Sequence, residues 1–125
     1  MTDQTHLRAL AERVVASNKD GSIGALLDDA YAPNCVSAES VAMEGGPGRE
    51  ATGIDAIRAK WDWWESAHEV HSSTATGPFL HSDNQFGVIF EIDVTDKNSG
   101  QRMQMQELGI YTVDNGKIVR EEFFY

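Results

Sequence analysis

The sequence predicts an α+β domain in which three N-terminal helices close over a curved antiparallel sheet and leave one ligand-sized pocket. Three observations predict it. Apolar residues recur at helical spacing through the first half, β-rich runs between polar turns fill the second, and no linker, repeat or low-complexity tract divides residues 1–125. Helices first and a strand meander last is the order of an α+β domain rather than of a parallel sheet.

Leu7, Leu10, Ala11, Val14 and Val15 form the stripe of a first helix that follows the polar start at Asp3 and stops at Asp20-Gly21. Ser22 can cap a second, with Ile23, Leu26, Leu27 and Ala30 on one face and Pro33 preventing continuation. An extended stretch from about Cys35 to Met43 leads to Gly45-Gly46-Pro47-Gly48, the one flexible segment. With Arg49 it is either a loop over the pocket mouth or a plain connection. Gly53 to His68 reads as a third helix whose stripe, Ile54, Ile57, Trp61, Trp64 and His68, falls in a narrow arc at about 100° per residue. Trp63 points to the opposite side, where a neighbouring loop or a second subunit should cover it.

Strands are expected from about Val70 to Gly77, Gln85 to Thr95, Gln101 to Val113 and Lys117 to Tyr125. A hairpin centred between Asn98 and Ser99 pairs Val94 with Met103, Ile92 with Met105, Phe90 with Glu107, Val88 with Gly109 and Phe86 with Tyr111. The alternate face, Thr95 with Arg102, Asp93 with Gln104 and Glu91 with Gln106, is solvated. Glu107 is therefore the exception on an apolar inner face. Burying its charge without partners would cost several kcal/mol, so a cavity, a counter-charge or a raised pKa is expected. It serves either chemistry or a purely structural hydrogen-bond network. The last strand has two readings. A glycine bulge after Asp114-Asn115-Gly116 turns Val119, Glu121, Phe123 and Tyr125 inward and is preferred for its aromatic ending; a tight turn brings Ile118, Arg120, Glu122 and Phe124 inward.

Twenty acidic against ten basic residues give a formal charge of −10, which repels phosphate backbones and anionic lipid heads, so neither nucleic acid nor membrane is an expected partner. The first residues hold no unbroken apolar run, and with Cys35 as the single cysteine a cytoplasmic location is expected, the thiol acting as a small buried hydrophobe. His68 and His71 have a spacing compatible with metal ligation but lack a convincing third ligand, so no metal is expected.

Ala30-Tyr31-Ala32-Pro33, Gly53-Ile54-Asp55-Ala56-Ile57 and Asp114-Asn115-Gly116-Lys117-Ile118-Val119 carry a resemblance that covers nearly the whole chain. The chain resembles the SnoaL-like group of polyketide cyclases, within the cone-fold superfamily named after nuclear transport factor two. The resemblance implies a cystatin-like cone enclosing one pocket, and a homodimer formed through the outer sheet face, where Ile89, Leu108 and Ile110 are apolar. Counting from Tyr31 as in ketosteroid isomerases, it places the proton-abstracting acid at Glu39. It also puts that mechanism's two oxyanion donors at Val14 and Gly109, neither of which can donate from a side chain. SnoaL-like cyclases work without metal or cofactor. The expectation is thus a cofactor-free enzyme of cyclase, isomerase or lyase type that uses Glu39 and Glu107, one as base and one as acid, on a small apolar carbonyl compound. Trp61, Trp64, His68, Phe90, Met105, Tyr111, Phe123 and Tyr125 should form the ligand-binding wall. A non-catalytic binder of small hydrophobic molecules is the alternative, and a dimerisation module with a filled cone is the third reading.

Overall fold

A computed structural model describes residues 4–42 and 46–125; Asp3, Met43 and Gly45, each the end of an expected segment, lie outside the described residues. Helix α1 spans Gln4–Asp20 and α2 Ile23–Ala30, with Gly21 at φ +76° between them and Ser22 at the N-cap position of α2. The chain becomes extended at once in β1, Tyr31–Ala38, four residues earlier than expected. Pro33 explains this, because its ring disfavours helical backbone in the residue before it. Strand β2, Glu50–Thr52, precedes α3, Ile54–Ala67.

The remaining strands are β3 His68–His81, β4 Gln85–Asp96, β5 Arg102–Asp114 and β6 Lys117–Phe124. They form one sheet in the order β2-β1-β6-β5-β4-β3, with β1 parallel to β6 and the other neighbours antiparallel. The sheet is open, since β2 and β3 are its edges. β3 extends past both ends of the expected strand because an edge strand can be polar along most of its length, which erases the alternation that marks a strand in sequence. Register shifts within the β3–β4, β5–β6 and β1–β6 pairs bend the sheet around the helices.

The inner face packs Phe86, Val88, Val113 and Ile118 against Leu7, Leu10 and Val14 of α1 and Leu26, Leu27 and Ile57 of α2 and α3, all buried. The β4–β5 register is the one the sequence predicts, with Phe90 opposite Glu107. The β5–β6 connection corrects the preferred reading. Asp114 pairs with Lys117 across a tight turn with Asn115 at φ +53° and Gly116 at φ +77°. The extra residue lies further on: Ile118 pairs with Val113 and Arg120 with Thr112, leaving Val119 unpaired and half-buried. Ile118 thus takes the inward place expected of Val119, and the bulge then turns Glu121 and Phe123 inward, as the aromatic ending suggested. On the outer face, Leu108 stands between Ile89 and Phe124, and both Leu108 and Phe124 are exposed.

Candidate functional site

A cavity of about 260 Å³ opens between α3, the end of β1 and the inner face of β4–β6. Its apolar wall comes from Trp61 and Trp64 on α3, Phe90 and Ile92 on β4, Tyr111 on β5 and Phe123 on β6. The rings brace one another: Tyr111 stacks on Phe86 at 4.8 Å and meets Phe123 edge-on at 6.3 Å, while Tyr31 meets Trp61 edge-on at 5.9 Å. Such fixed edges leave the wall little freedom to collapse. A second cleft lies between the start of α1 and the turns at Ser82–Asn84 and Asp114–Gly116, lined by Leu7 and Val113 as well as by the polar turn residues.

Four glutamates, Glu39, Glu107, Glu121 and the exposed Glu65, and one lysine, Lys60, line the cavity. Glu107 projects from β5, is half-buried, and has no hydrogen-bond partner among the described residues. Burial pushes its carboxyl up from 4.5 to about 7, with the Glu39 charge adding to the rise and Lys60 opposing it. Glu39, just beyond β1, is buried and paired with Lys60 at 2.5 Å, and it accepts a hydrogen bond from Tyr125 Oη at 3.1 Å. Its backbone is pinned by Arg49, whose carbonyl accepts from Glu39 N at 2.8 Å and whose Nε donates to the Glu39 carbonyl at 3.1 Å. Lys60 Nζ also donates to Ser37 Oγ at 2.7 Å, and Ser37 Oγ donates to Glu121 Oε2 at 2.6 Å. Tyr31 Oη donates to the other oxygen, Oε1, of Glu121. Burial raises the pKa of Glu121, while its bonds from Ser37 and Tyr31 and the Lys60 charge work the other way.

The model of the SnoaL-like domain family matches residues 5–125. The chain belongs to this family. A solved protein from Mesorhizobium loti, provisionally described as a SnoaL-like polyketide cyclase with carbohydrate phosphatase as a second label, is 37% identical. It superposes with a TM-score of 0.86 over 95% of this chain and 98% of its own. A Jannaschia protein with the same provisional SnoaL-like description is 11% identical at a TM-score of 0.73, covering 96% of this chain and 85% of its own. A Catenulispora acidiphila protein with a ketosteroid isomerase-like fold, in complex with trimethylamine, is 14% identical at 0.72, covering 93% and 84%. These last two show the fold alone. No protein of curated function matches the chain.

This SnoaL-like domain gathers Glu39, Glu107, Trp61, Trp64, Phe90, Tyr111 and Phe123 around one cavity. Three expected wall residues fall outside it. His68 lies one residue past the end of α3 with extended backbone, so helical spacing no longer sets its direction; its Nδ1 approaches the Trp64 carbonyl at 2.8 Å and its ring stacks on Trp64 at 4.6 Å. Met105 is half-buried one inward step nearer the hairpin turn than Glu107. Tyr125 reaches the site only through its hydroxyl on Glu39. His71 bonds Thr95 at 2.7 Å at the surface, and among the described residues no group of three His, Cys, Asp or Glu side chains could hold a metal ion.

Trp63 corrects the expectation in the other direction, because it lines the cavity beside Pro47 and Gly48. Gly46 lies against that side of α3, since a Cβ built on it would stand 2.7 Å from the Trp63 ring. Lys60 and Ser37 escaped the sequence reading, Tyr31 entered it only as a motif position, and Glu121 only as a question of strand parity. The signal for Lys60 was available: it stands three residues after Ile57 and four before Trp64, at the edge of the apolar arc of α3. At the two positions the resemblance assigns to oxyanion donors, Val14 is buried in the core. A Cβ on Gly109 would stand 3.1 to 3.2 Å from Phe90, Tyr111 and Phe123. Those three rings occupy the space an acid there would need.

Proposed function

We propose that this protein is a cofactor-free acid–base enzyme of cyclase, isomerase or lyase type acting on a small apolar carbonyl compound, with Glu107 as the group that moves the proton. The observation that carries this reading is an unpaired carboxyl in an aromatic wall, pushed up to about 7. A base is most effective when its pKa lies near the working pH. Ionised Glu107 would take a proton from the carbon next to the carbonyl, and the C–H electron pair would pass to the carbonyl oxygen as an enolate. Returning the proton elsewhere on the conjugated system isomerises the ligand, and attack by the enolate carbon on a second carbonyl closes a ring. Glu39 is committed to Lys60 and Tyr125, which suits it to a supporting role. The cavity volume, about 260 Å³, lies near the lower end of ligand sites and suits a one- or two-ring molecule. The same reading has the protein acting as a homodimer through the face of Leu108 and Phe124, and a monomer mass in sedimentation equilibrium would count against it.

Non-catalytic binding is the second reading, and the aromatic rings over Gly109 favour it by closing one oxyanion-donor position of the resembling isomerases. Solvent deuterium exchange into the acidic C–H of β-tetralone, followed by NMR, separates the two without knowledge of the natural product. The enzyme reading expects protein-catalysed exchange whose rate rises with pH through about 7. Exchange should fall roughly 100-fold or more in Glu107→Gln while ketone affinity is kept. Binding without exchange establishes the binder, and undiminished exchange in the variant removes Glu107 from the mechanism.

A further inference from the structure

Lys60 is the one cation on the cavity wall among the described residues, and only 8% of it is exposed. An ammonium has three donors. Among the described residues two oxygens take them, Glu39 at 2.5 Å and Ser37 at 2.7 Å, both anchored at the C-terminal end of β1. The head group also stands 5.4 Å from the centroid of the Phe123 ring, which favours a cation over its face. One donor therefore has no protein oxygen, on a head group already fixed in place at the cavity surface.

We propose that Lys60 is the oxyanion-binding group of this pocket, and that its ligands carry an enolate or phenolate oxygen on a small aromatic or conjugated body. The proposal deepens the acid–base reading, on which it rests: the oxygen that becomes negative as a carbon loses its proton needs a donor, and Lys60 supplies a charged one where Val14 and Gly109 supply none. A donor held beforehand by two acceptors needs little reorganisation as charge develops. The Glu39–Lys60 pair is formally neutral, so an incoming anion meets an ammonium whose charge is balanced from one side only. Protonation of Glu107, favoured by its burial, removes a like charge from the cavity wall and adds a second donor.

The test uses 4-nitrophenol, whose absorption reports its own ionisation, and 4-nitrotoluene as its uncharged counterpart, both titrated into the intact protein. Wild type should bind the phenolate at least about tenfold more tightly than nitrotoluene, with the nitrophenol ionising at lower pH on the protein than in water. Lys60→Met should erase both the preference and the spectral shift while keeping nitrotoluene affinity within about threefold. Glu39→Gln, which leaves Lys60 without its carboxylate partner, should hold or strengthen the phenolate preference, and it decides alone if Lys60→Met is not recovered folded. Phenolate preference surviving in Lys60→Met, its loss in Glu39→Gln, or a wild type that takes up no phenolate overturns the proposal. None of these readings requires turnover. Absence of deuterium exchange with phenolate binding intact therefore removes the enzyme and leaves the anion site, whereas exchange without phenolate binding does the reverse.

Discussion

Glu107 on β5 and Glu121 on β6 face the same side of the sheet, and burial raises the pKa of both, yet the protein surrounds them oppositely. Glu121 is 1% exposed, and both of its oxygens accept hydrogen bonds, from Tyr31 and Ser37. Glu107 is half-buried against the cavity with no partner among the described residues. Burial alone does not mark a catalytic acid; a buried acid with both oxygens engaged by protein donors helps to hold a core together, and one left without protein partners at a cavity is available to a ligand. All three acids, Glu39, Glu107 and Glu121, reach the cavity wall, and Glu39 stands between the other two in its partners, paired with Lys60 and Tyr125.

The contrast breaks most readily at Glu121. Glu121→Ala leaves the Tyr31 and Ser37 hydroxyls without an acceptor and opens a void beneath the sheet. At about 1–3 kcal/mol for each stranded polar group, the loss in a denaturant titration should be roughly 4 kcal/mol. A loss under about 1 kcal/mol would show that the network contributes little and that the two acids are not the opposites drawn here.

Glu107→Gln should behave the other way, with a pH dependence fixed by linkage. The folded carboxyl titrates at about 7 against 4.5 for the ordinary group, so between those values the native state holds more protons than the unfolded chain. The contribution of Glu107 is then fully present below 4.5 and lost as pH rises through about 7. Above that, the ionised carboxyl costs the fold about 3 kcal/mol, an order-of-magnitude figure. The variant should match wild type near pH 4 and become the more stable by up to roughly that amount near pH 9. Parallel stability curves across that range would mean that Glu107 is solvated in the native state. A variant that gains stability while losing deuterium exchange has the usual signature of a strained functional site.

Much of this contrast was legible in the sequence, and the illegible part has a physical cause. Glu107 could be found because β4 and β5 are joined by a short turn, so register follows from pairing like faces, and an acid on the apolar face stands out. Glu121 could not be settled the same way. Its direction depends on an unpaired Val119 inside β6, and a bulge changes parity without a composition signal of its own. Lys60 lay inside a helical pattern, but a lysine at the margin of an apolar arc usually carries its head group to water. Its burial depends on acceptors from β1, far away in sequence. His68 failed for the converse reason, since a helical stripe was extended one residue past the helix.

Tyr125 gives the smallest effect and the finest resolution of the comparison. The residue is 47% exposed, and its hydroxyl donates to Glu39 Oε1 at 3.1 Å from beyond the end of β6. Glu39 keeps Lys60 when that hydroxyl is removed, so Tyr125→Phe strands no buried group and should cost under about 1 kcal/mol in a denaturant titration. A loss above about 2 kcal/mol would mean that the chain terminus, and not Lys60, orients Glu39. Glu39 would then belong with Glu121, as an acid whose direction depends on hydroxyl donors. The small expected loss instead leaves Glu39 and Lys60 as one unit on the pocket wall, with Glu107 as the half-buried acid that no hydrogen bond or ion pair engages among the described residues.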